Sequence, residues 1–178
     1  MIRIFDFLFS LIGLIILSPL LIFIFLIGLF DNGSPLFIQK RVGYNLRSFF
    51  IIKFRTMPVG VRSAGTHLIK NIKLSSFGYF LRRTKIDEIP QLINVFLGDM
   101  SLVGPRPCLF NQRKLISERK KRGVFKVRPG ITGLAQINNI NMKTPTLLAK
   151  IDQKMIKEMS LHNYFYYIFK TILKILKN

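Results

Sequence analysis

FLFSLIGLIILSPLLIFIFLIGLF, residues 7–30, decides the fold class of this chain because its 24 residues include no charged side chain. Asp6 and Asp31 bound the segment. A straight helix of this length is about 36 Å long, enough to cross a hydrocarbon core of about 30 Å. The segment is too long for the apolar part of a signal peptide, and no small-residue cleavage site follows it. The rest of the chain could hardly surround such a helix, so the sequence predicts insertion into a membrane.

Ser18 and Pro19 lie at the middle of this segment. Proline removes a backbone donor and clashes with the preceding turn, at a cost of about 3 kcal/mol inside a helix. One arrangement is a kinked helix that spans the bilayer, which membranes tolerate. The other is a helix-break-helix hairpin that enters and leaves by the same face. Arg3 on one side and the basic residues of 40–47 on the other make both flanks cationic, so charge does not choose between them.

The net charge of +20 calls for a polyanionic partner, such as nucleic acid, anionic lipid or a phosphorylated substrate. One cysteine excludes an internal disulfide, and two isolated histidines do not indicate a zinc site. These features fit a reducing, cytoplasmic environment. Only eight residues are acidic, and two of them are adjacent, at Asp87 and Glu88.

The residues after the apolar segment predict a small α+β domain. Residues 36–42 and 49–57 are rich in β-branched and aromatic side chains around a turn signal, which predicts a β-hairpin. Lys53 and Arg55 fall on one face of the second strand, either as solvated charges or as a pair that faces phosphate. A loop at 57–67 and an apolar-periodic helix from about 68 to 81 follow.

A helix is predicted around Pro90, with Thr84 or Asp87 as its N-cap and Gly98 as its end. Asp87 and Glu88 would then lie at the positive end of a helix dipole, which keeps carboxylates ionised. By this local pattern alone, Asp87 is a capping residue.

Two basic amphipathic helices are predicted at 109–122 and 161–176. Helices of this kind suit an anionic membrane surface, where lysines reach the headgroups, or they pack against the core. With an inserted segment nearby, the membrane interface is the preferred place for the second helix.

Six phrases together resemble the bacterial sugar transferase family of small monotopic phosphoglycosyl transferases. The resemblance covers nearly the whole chain in order and spacing, and the long central block is the most specific part. The phrases are Arg3-x-x-Asp6, Ser18-Pro19, SPLFIQKRVG (34–43), KFRTM (53–57), LRRTKIDEIPQLINVFLGDMSLVGPRP (81–107) and VRPGITGLAQIN (127–138).

The resemblance implies a monotopic membrane protein of the bacterial inner membrane. Residues 1–31 would form a re-entrant helix broken at Ser18-Pro19, and residues 32–178 a catalytic domain on the cytoplasmic face. Such enzymes transfer a sugar 1-phosphate from a UDP-sugar to undecaprenyl phosphate and release UMP. This step begins the assembly of O-antigen, capsule or glycoprotein glycans. We expect no nucleic-acid partner for such an enzyme, and a homo-oligomer is left open.

The resemblance also implies roles for single residues. Asp87 would be the nucleophile that forms a covalent sugar-phosphate intermediate, and Glu88 a metal ligand or positioning base, with Mg²⁺ as the required ion. An ionised carboxylate is a competent nucleophile, and Mg²⁺ suits an acidic pair facing a diphosphate. The candidate phosphate-binding residues are Arg82, Arg106, Arg128, Lys53 and Arg55. Arg106 lies between two prolines, which would hold its guanidinium with little loss of entropy.

The chain departs from many relatives at Ile140, where arginine is usual, and at Met155, where tyrosine is frequent. These departures concern the identity of the sugar, for which an N-acetylated UDP-hexosamine is the expected donor. Two other functions remain: a membrane-anchored basic module that binds nucleic acid or anionic lipid without catalysis, and a glycosyl transferase that breaks the sugar-phosphate bond and releases UDP.

Overall fold

A computed structural model describes residues 1–60 and 74–177. A long N-terminal helix lies against a small domain of shorter helices and two two-stranded sheets, a mixed helix-and-sheet architecture. The elements are α1 (Ile2–Asn32), β1 (Leu36–Val42), β2 (Ser48–Phe54), α2 (Ser76–Thr84), α3 (Gln91–Leu97), β3 (Ser101–Val103), α4 (Arg113–Lys121), β4 (Gly130–Thr132), α5 (Leu134–Ile137), α6 (Pro145–Lys157) and α7 (Leu161–Leu176).

The predicted β-hairpin is confirmed. Strands β1 and β2 pair antiparallel from Leu36 opposite Phe54 to Val42 opposite Ser48, with a short 3₁₀ turn between them. The second strand ends at Phe54, so Arg55 lies just beyond it. Strands β3 and β4 form a parallel pair that the sequence reading missed, because three-residue strands carry too little periodicity to be recognised.

The predicted N-cap of the helix around Pro90 is wrong. Asp87 and Glu88 belong to a separate 3₁₀ turn, Ile86–Glu88, and α3 begins after it with Pro90 at the N-cap position. Proline suits this place because its missing N–H is unpaired there in any helix. Gly98 does end the helix, in the left-handed conformation that glycine adopts without strain.

Helix α1 is long and apolar enough to cross a membrane. Its hydrogen-bonded structure runs through Pro19. Proline lacks the N–H that would bond the carbonyl of Ile15, and the Ser18 hydroxyl donates to that carbonyl instead, at 2.8 Å. The Ser-Pro pair thus replaces the missing backbone N–H of Pro19 with the hydroxyl of Ser18 as the donor to Ile15 O. The helix-break-helix hairpin stays a prediction.

One face of α1 contacts the small domain along almost its whole length. Near the beginning, the Arg3 guanidinium donates to two carbonyls at the end of α3, Val95 O at 2.6 Å and Phe96 O at 3.0 Å. Ile24 packs further along against Phe54 and Leu81. At the far end the Ser75 hydroxyl donates to Asp31 at 2.8 Å. The opposite face carries bare apolar side chains, including Ile16 and Phe30, which are 69% and 91% exposed.

The two predicted basic helices occur as α4 and α7, and α7 matches its predicted bounds of 161–176. Tyr164 and Tyr167 bury one face of α7 in the core, while Phe169 and Ile172 on the other face are exposed. The helix therefore packs on the domain and also presents an apolar face. The predicted loop at 57–67 and helix at 68–81 fall largely outside the described residues, and α2 forms the described end of that stretch.

Asp6 fixes the beginning of α1 to the domain. Its buried carboxylate accepts hydrogen bonds from Ser101 Oγ at 3.0 Å, Leu102 N at 2.9 Å and the Tyr164 hydroxyl at 2.9 Å. Each donor would be left unpaired without it, at about 1–3 kcal/mol per buried group.

Replacement of Asp6 by alanine is therefore expected to lower the free energy of unfolding by about 3 kcal/mol. Thermal unfolding in detergent measures the change, and Asp99→Ala, at an exposed acid, is the matched control. An Asp6→Ala variant as stable as Asp99→Ala would show that these bonds contribute nothing.

Candidate active site

Glu88 lies between two cations from different parts of the chain. Its Oε1 atom accepts from Lys53 Nζ of β2 at 2.8 Å and from Arg106 Nη2 at 2.6 Å. The Glu88 side chain is largely buried, whereas that of Arg106 is 40% exposed. These bonds bring together three of the residues that the sequence nominated.

The two cations keep Glu88 ionised. Burial alone would raise the pKa of its carboxyl, but the charges of Arg106 and Lys53 and their hydrogen bonds outweigh burial and hold the pKa well below its usual range. Glu88 is therefore a fixed negative charge at any physiological pH. Its electron pairs at Oε1 are already engaged, which makes that oxygen a poor nucleophile.

Asp87 has the opposite electrostatics although it is the adjacent residue. It is 8% exposed, and its Oδ1 atom finds no hydrogen-bond partner among the described residues. Burial first, and then the charge of Glu88, raise the pKa of Asp87 to about 6, against the opposing charges of Lys53, Lys85 and Arg82. Asp87 lies in the 3₁₀ turn before α3 and not in the first turn of that helix, where the sequence placed it at the positive end of the helix dipole.

A cleft of about 570 Å³ opens beside Glu88 and Arg106. Apolar side chains form most of its walls, with Lys85 and Lys174 as further cations. Asp87 is not among the residues that line this cleft, and it reaches the site as the neighbour of Glu88. The apolar lining residues are Leu17, Ile89, Leu92, Leu102, Ile131, Ile137, Ile168, Ile172 and Ile175.

The other nominated arginines lie in different surroundings. Arg55 donates to the carbonyls of Ser34 and Leu36, at 2.8 and 3.0 Å, and so fixes the beginning of β1. Arg128 donates to Gly98 O at 2.7 Å and lines a second cleft of about 300 Å³. Arg82 occupies the last turn of α2 and acts on Asp87 through its charge. Their roles in phosphate binding stay predictions.

Arg41 is a site residue that the sequence reading missed. It lines a small cavity together with Lys53, Gln91 and Arg106, and burial, reinforced by the charge of Arg106, lowers its pKa to about 10. The pattern of the hairpin could have indicated this position. Phe37 is opposite Lys53, so their side chains share a face of the hairpin. Arg41 is four residues after Phe37 and therefore lies on the same face as Lys53.

Two carboxylates offer only part of a metal site. Within residues 1–60 and 74–177, no three His, Cys, Asp or Glu side chains gather closely enough to hold a metal ion. The unpaired Oδ1 of Asp87 is nevertheless a buried oxygen that a cation would satisfy. Mg²⁺ typically takes one or two carboxylates and completes its shell with phosphate oxygens and water, so the residues present fit that ion.

The two unusual residues pack in the core. Ile140 packs against a cluster that includes Val42 and Leu148. Met155 is buried with Val103 and Tyr164, and its sulfur accepts from Leu134 N at 3.2 Å.

The chain belongs to the bacterial sugar transferase family, whose model matches residues 1–178. Similar proteins include the uncharacterized sugar transferase EpsL of Bacillus subtilis, 41% identical over 140 residues, which are 78% of this chain and 69% of EpsL. The UDP-galactose-lipid carrier transferase of Erwinia amylovora is 33% identical across 92% of this chain. The undecaprenyl-phosphate galactose phosphotransferase of Salmonella typhimurium is 31% identical across 98%. The chain spans only 37% and 40% of the lengths of these last two proteins.

Asp87→Asn is expected to stabilise the protein at neutral pH. A folded pKa of about 6, above the ordinary value near 3.8, means that the folded state binds the Asp87 proton more tightly than the unfolded state. Wild-type stability therefore falls as the pH rises from about 4 to about 6. The Asp87→Asn variant does not lose this stability, because asparagine carries no titratable carboxyl.

Melting temperatures across pH, in magnesium-free buffer, should show a gain for Asp87→Asn that appears over that window and is constant above it. Glu88→Gln is the matched control, because its carboxylate is held by Lys53 and Arg106 and its loss should destabilise. A gain for Asp87→Asn that is the same at pH 4 and pH 8 would contradict the assigned pKa.

Proposed function

We propose that this protein is a phosphoglycosyl transferase, which moves a sugar 1-phosphate from a UDP-sugar to undecaprenyl phosphate and releases UMP. The observation that carries the proposal is the pair of adjacent carboxylates with opposite electrostatics, Asp87 and Glu88, of which Glu88 lines an apolar cleft against α1. The names of the Erwinia and Salmonella relatives support the same lipid-linked chemistry.

Asp87 is the proposed nucleophile. One of its oxygens has no hydrogen-bond partner in the described structure, and a pKa of about 6 leaves it ionised and still basic at neutral pH. Asp87 attacks the sugar-bearing phosphorus of the UDP-sugar, and the bond from that phosphorus to the bridging oxygen breaks as UMP leaves. An oxygen of the lipid phosphate then attacks the same phosphorus and restores the free carboxylate.

Glu88 has a different task in this scheme. Because its charge is held between Lys53 and Arg106, it anchors the two cations beside the reacting phosphates. Arg106 remains partly exposed, so its other N–H groups are available to phosphate oxygens. Mg²⁺, held by Asp87 and Glu88 together with substrate oxygens, would offset the negative charge that develops during transfer.

The apolar cleft suits the lipid acceptor. Leu17 of α1 and Ile172 of α7 contribute to its walls, while Lys85 and Arg106 supply positive charge at Glu88. A polyprenyl chain could thus lie against the apolar walls while its phosphate approaches the carboxylate pair. Burial of that chain would provide most of the binding free energy.

A monotopic topology is proposed for α1. Arg3 near its beginning and Asp31 near its end both contact the same small domain, so both ends lie on the side of the membrane that holds this domain. A spanning helix would instead carry one end across the bilayer, away from the domain. The apolar outer faces of α1 and α7 would enter one leaflet, with the catalytic domain at the cytoplasmic face of the inner membrane.

UMP release from UDP-sugars tests the activity. Purified protein with undecaprenyl phosphate and Mg²⁺ is expected to release UMP, and Asp87→Asn is expected to lose at least about 10³-fold in rate because the nucleophile is gone. A panel of donors, including N-acetylated hexosamines and UDP-galactose, identifies the sugar.

The product separates this proposal from its alternatives. Release of UDP would indicate transfer at the sugar carbon, and full activity of Asp87→Asn would refute the nucleophile. No turnover with any donor, together with salt-sensitive binding to DNA or anionic vesicles, would identify a non-enzymatic basic module. Arg113→Met, at an exposed position of α4, is the control for a general loss of positive charge.

Cysteine labelling tests the topology. Cysteines introduced at Ile2 and Gly33 should both react with a membrane-impermeant maleimide only when the cytoplasmic face is exposed, because both ends of α1 contact the domain proposed to lie on that face. The background is Cys108→Ala, which removes the buried native thiol. Labelling of position 2 from the outer face would establish a spanning helix.

A further inference from the structure

The segment Pro105–Pro107 carries Arg106, whose side chain donates to Glu88. The two prolines of this segment limit the backbone hydrogen bonds that can attach it to the rest of the domain. Neither proline has a backbone N–H, so the segment cannot be held by two of its three amides. Its carbonyls provide the attachment instead. Pro105 O accepts from Gly130 N at 2.9 Å, Arg106 O from Arg119 Nη1 at 2.8 Å, and Pro107 O from Arg41 Nη1 at 3.3 Å.

Arg119 is the more deeply buried of the two arginine donors. It lies on α4 and is 2% exposed, and its Nε donates to Asp152 Oδ2 of α6 at 2.9 Å, with Nη2 at 2.7 Å from the same oxygen. Asp152 is 1% exposed. One guanidinium therefore joins two helices to the backbone of the residue whose side chain holds Glu88.

Stability alone is a weak reason for this arrangement. A buried ion pair loses so much hydration that apolar side chains of similar volume are often at least as stabilising. Apolar residues could not, however, donate to Arg106 O. The planar guanidinium can bond Asp152 along one edge and a carbonyl along another in a fixed geometry, which a lysine cannot reproduce.

We propose that Arg119 and Asp152 are positioning residues for Arg106, which fix the backbone of the Pro-Arg-Pro segment so that the Arg106 guanidinium is held on Glu88. The inference rests on the proposed function for its kinetic consequence, and it deepens that function by assigning the two buried residues a task in the site. Neither residue is among those lining the cleft beside Glu88.

The test variant combines Arg119→Met with Asp152→Leu, which removes both charges and leaves neither one buried alone. It is expected to lower kcat/KM for UMP release by about 10²-fold, the typical cost of misplacing a catalytic group by about 1 Å. In an Arg106→Met background the same double substitution should cost less than about twofold, because residues that act through one group are not additive. An equal loss of kcat/KM in both backgrounds would mean that Arg119 and Asp152 support the fold as a whole and do not act through Arg106.

Arg119→Lys is the second variant, in case the double substitution does not fold. It keeps a charge opposite Asp152 but lacks the fork, so it should show a smaller loss that also disappears in the Arg106→Met background. Arg113→Met, on the exposed side of the same helix, should leave activity unchanged. A full effect of Arg119→Lys in the absence of Arg106 would overturn the proposal.

Thermal unfolding gives a readout that needs no activity. In the wild-type chain, Arg106→Met and Glu88→Gln should be strongly non-additive, because each removes the same buried bond. With Arg119→Met and Asp152→Leu present they should become additive. Persistent non-additivity would refute the positioning role, whereas a wild-type protein that releases no UMP would refute the proposed function and leave this measurement interpretable.

Discussion

The bond of Glu88 to Lys53 and Arg106 is the constraint on which the rest of the site depends. It joins the β-hairpin, the 3₁₀ turn that carries the acidic pair, and the Pro-Arg-Pro segment, which are separated by long stretches of chain. Two cations at a single oxygen hold Glu88 ionised in spite of burial. Each cation is in turn stabilised by that charge, so removal of Glu88 would leave the largely buried Lys53 without its ion-pair partner.

This arrangement explains why two adjacent carboxylates differ in their chemistry. Lys53 and Arg106 both donate to Glu88, whereas Asp87 is buried beside that negative charge and its Oδ1 atom has no hydrogen-bond partner within the described part of the chain. Burial and the charge of Glu88 both raise the pKa of Asp87. The burial depends on the tertiary structure and not on the local sequence. Glu88 is therefore a fixed charge, whereas the neighbouring Asp87 has a raised pKa because it is buried beside that charge.

Helix α1, which is long and apolar enough to cross a membrane, also contributes to the candidate site. Arg3 and Asp6 attach its first turns to α3, β3 and α7, while Leu17 contributes to the wall of the cleft beside Glu88. One helix therefore combines a long apolar surface with contacts to the domain that holds the carboxylate pair. The Ser18 hydroxyl maintains that element through Pro19 by satisfying the Ile15 carbonyl.

The sequence by itself determined the apolar helix, the β-hairpin, the end of α3 at Gly98 and the bounds of α7, because these depend on local periodicity, chain conformation and uninterrupted apolar composition. The sequence, read with the family resemblance, also nominated Asp87, Glu88, Lys53 and Arg106, and the structure brings the last three into contact. The cap assigned to Asp87 was wrong, since a turn between two helices offers the same local signals as a helix beginning. Only the tertiary structure decided which cation meets Glu88 and that Arg41 and Arg119 hold the Pro-Arg-Pro carbonyls. Those pairings depend on contacts between distant segments and on burial, neither of which local sequence specifies.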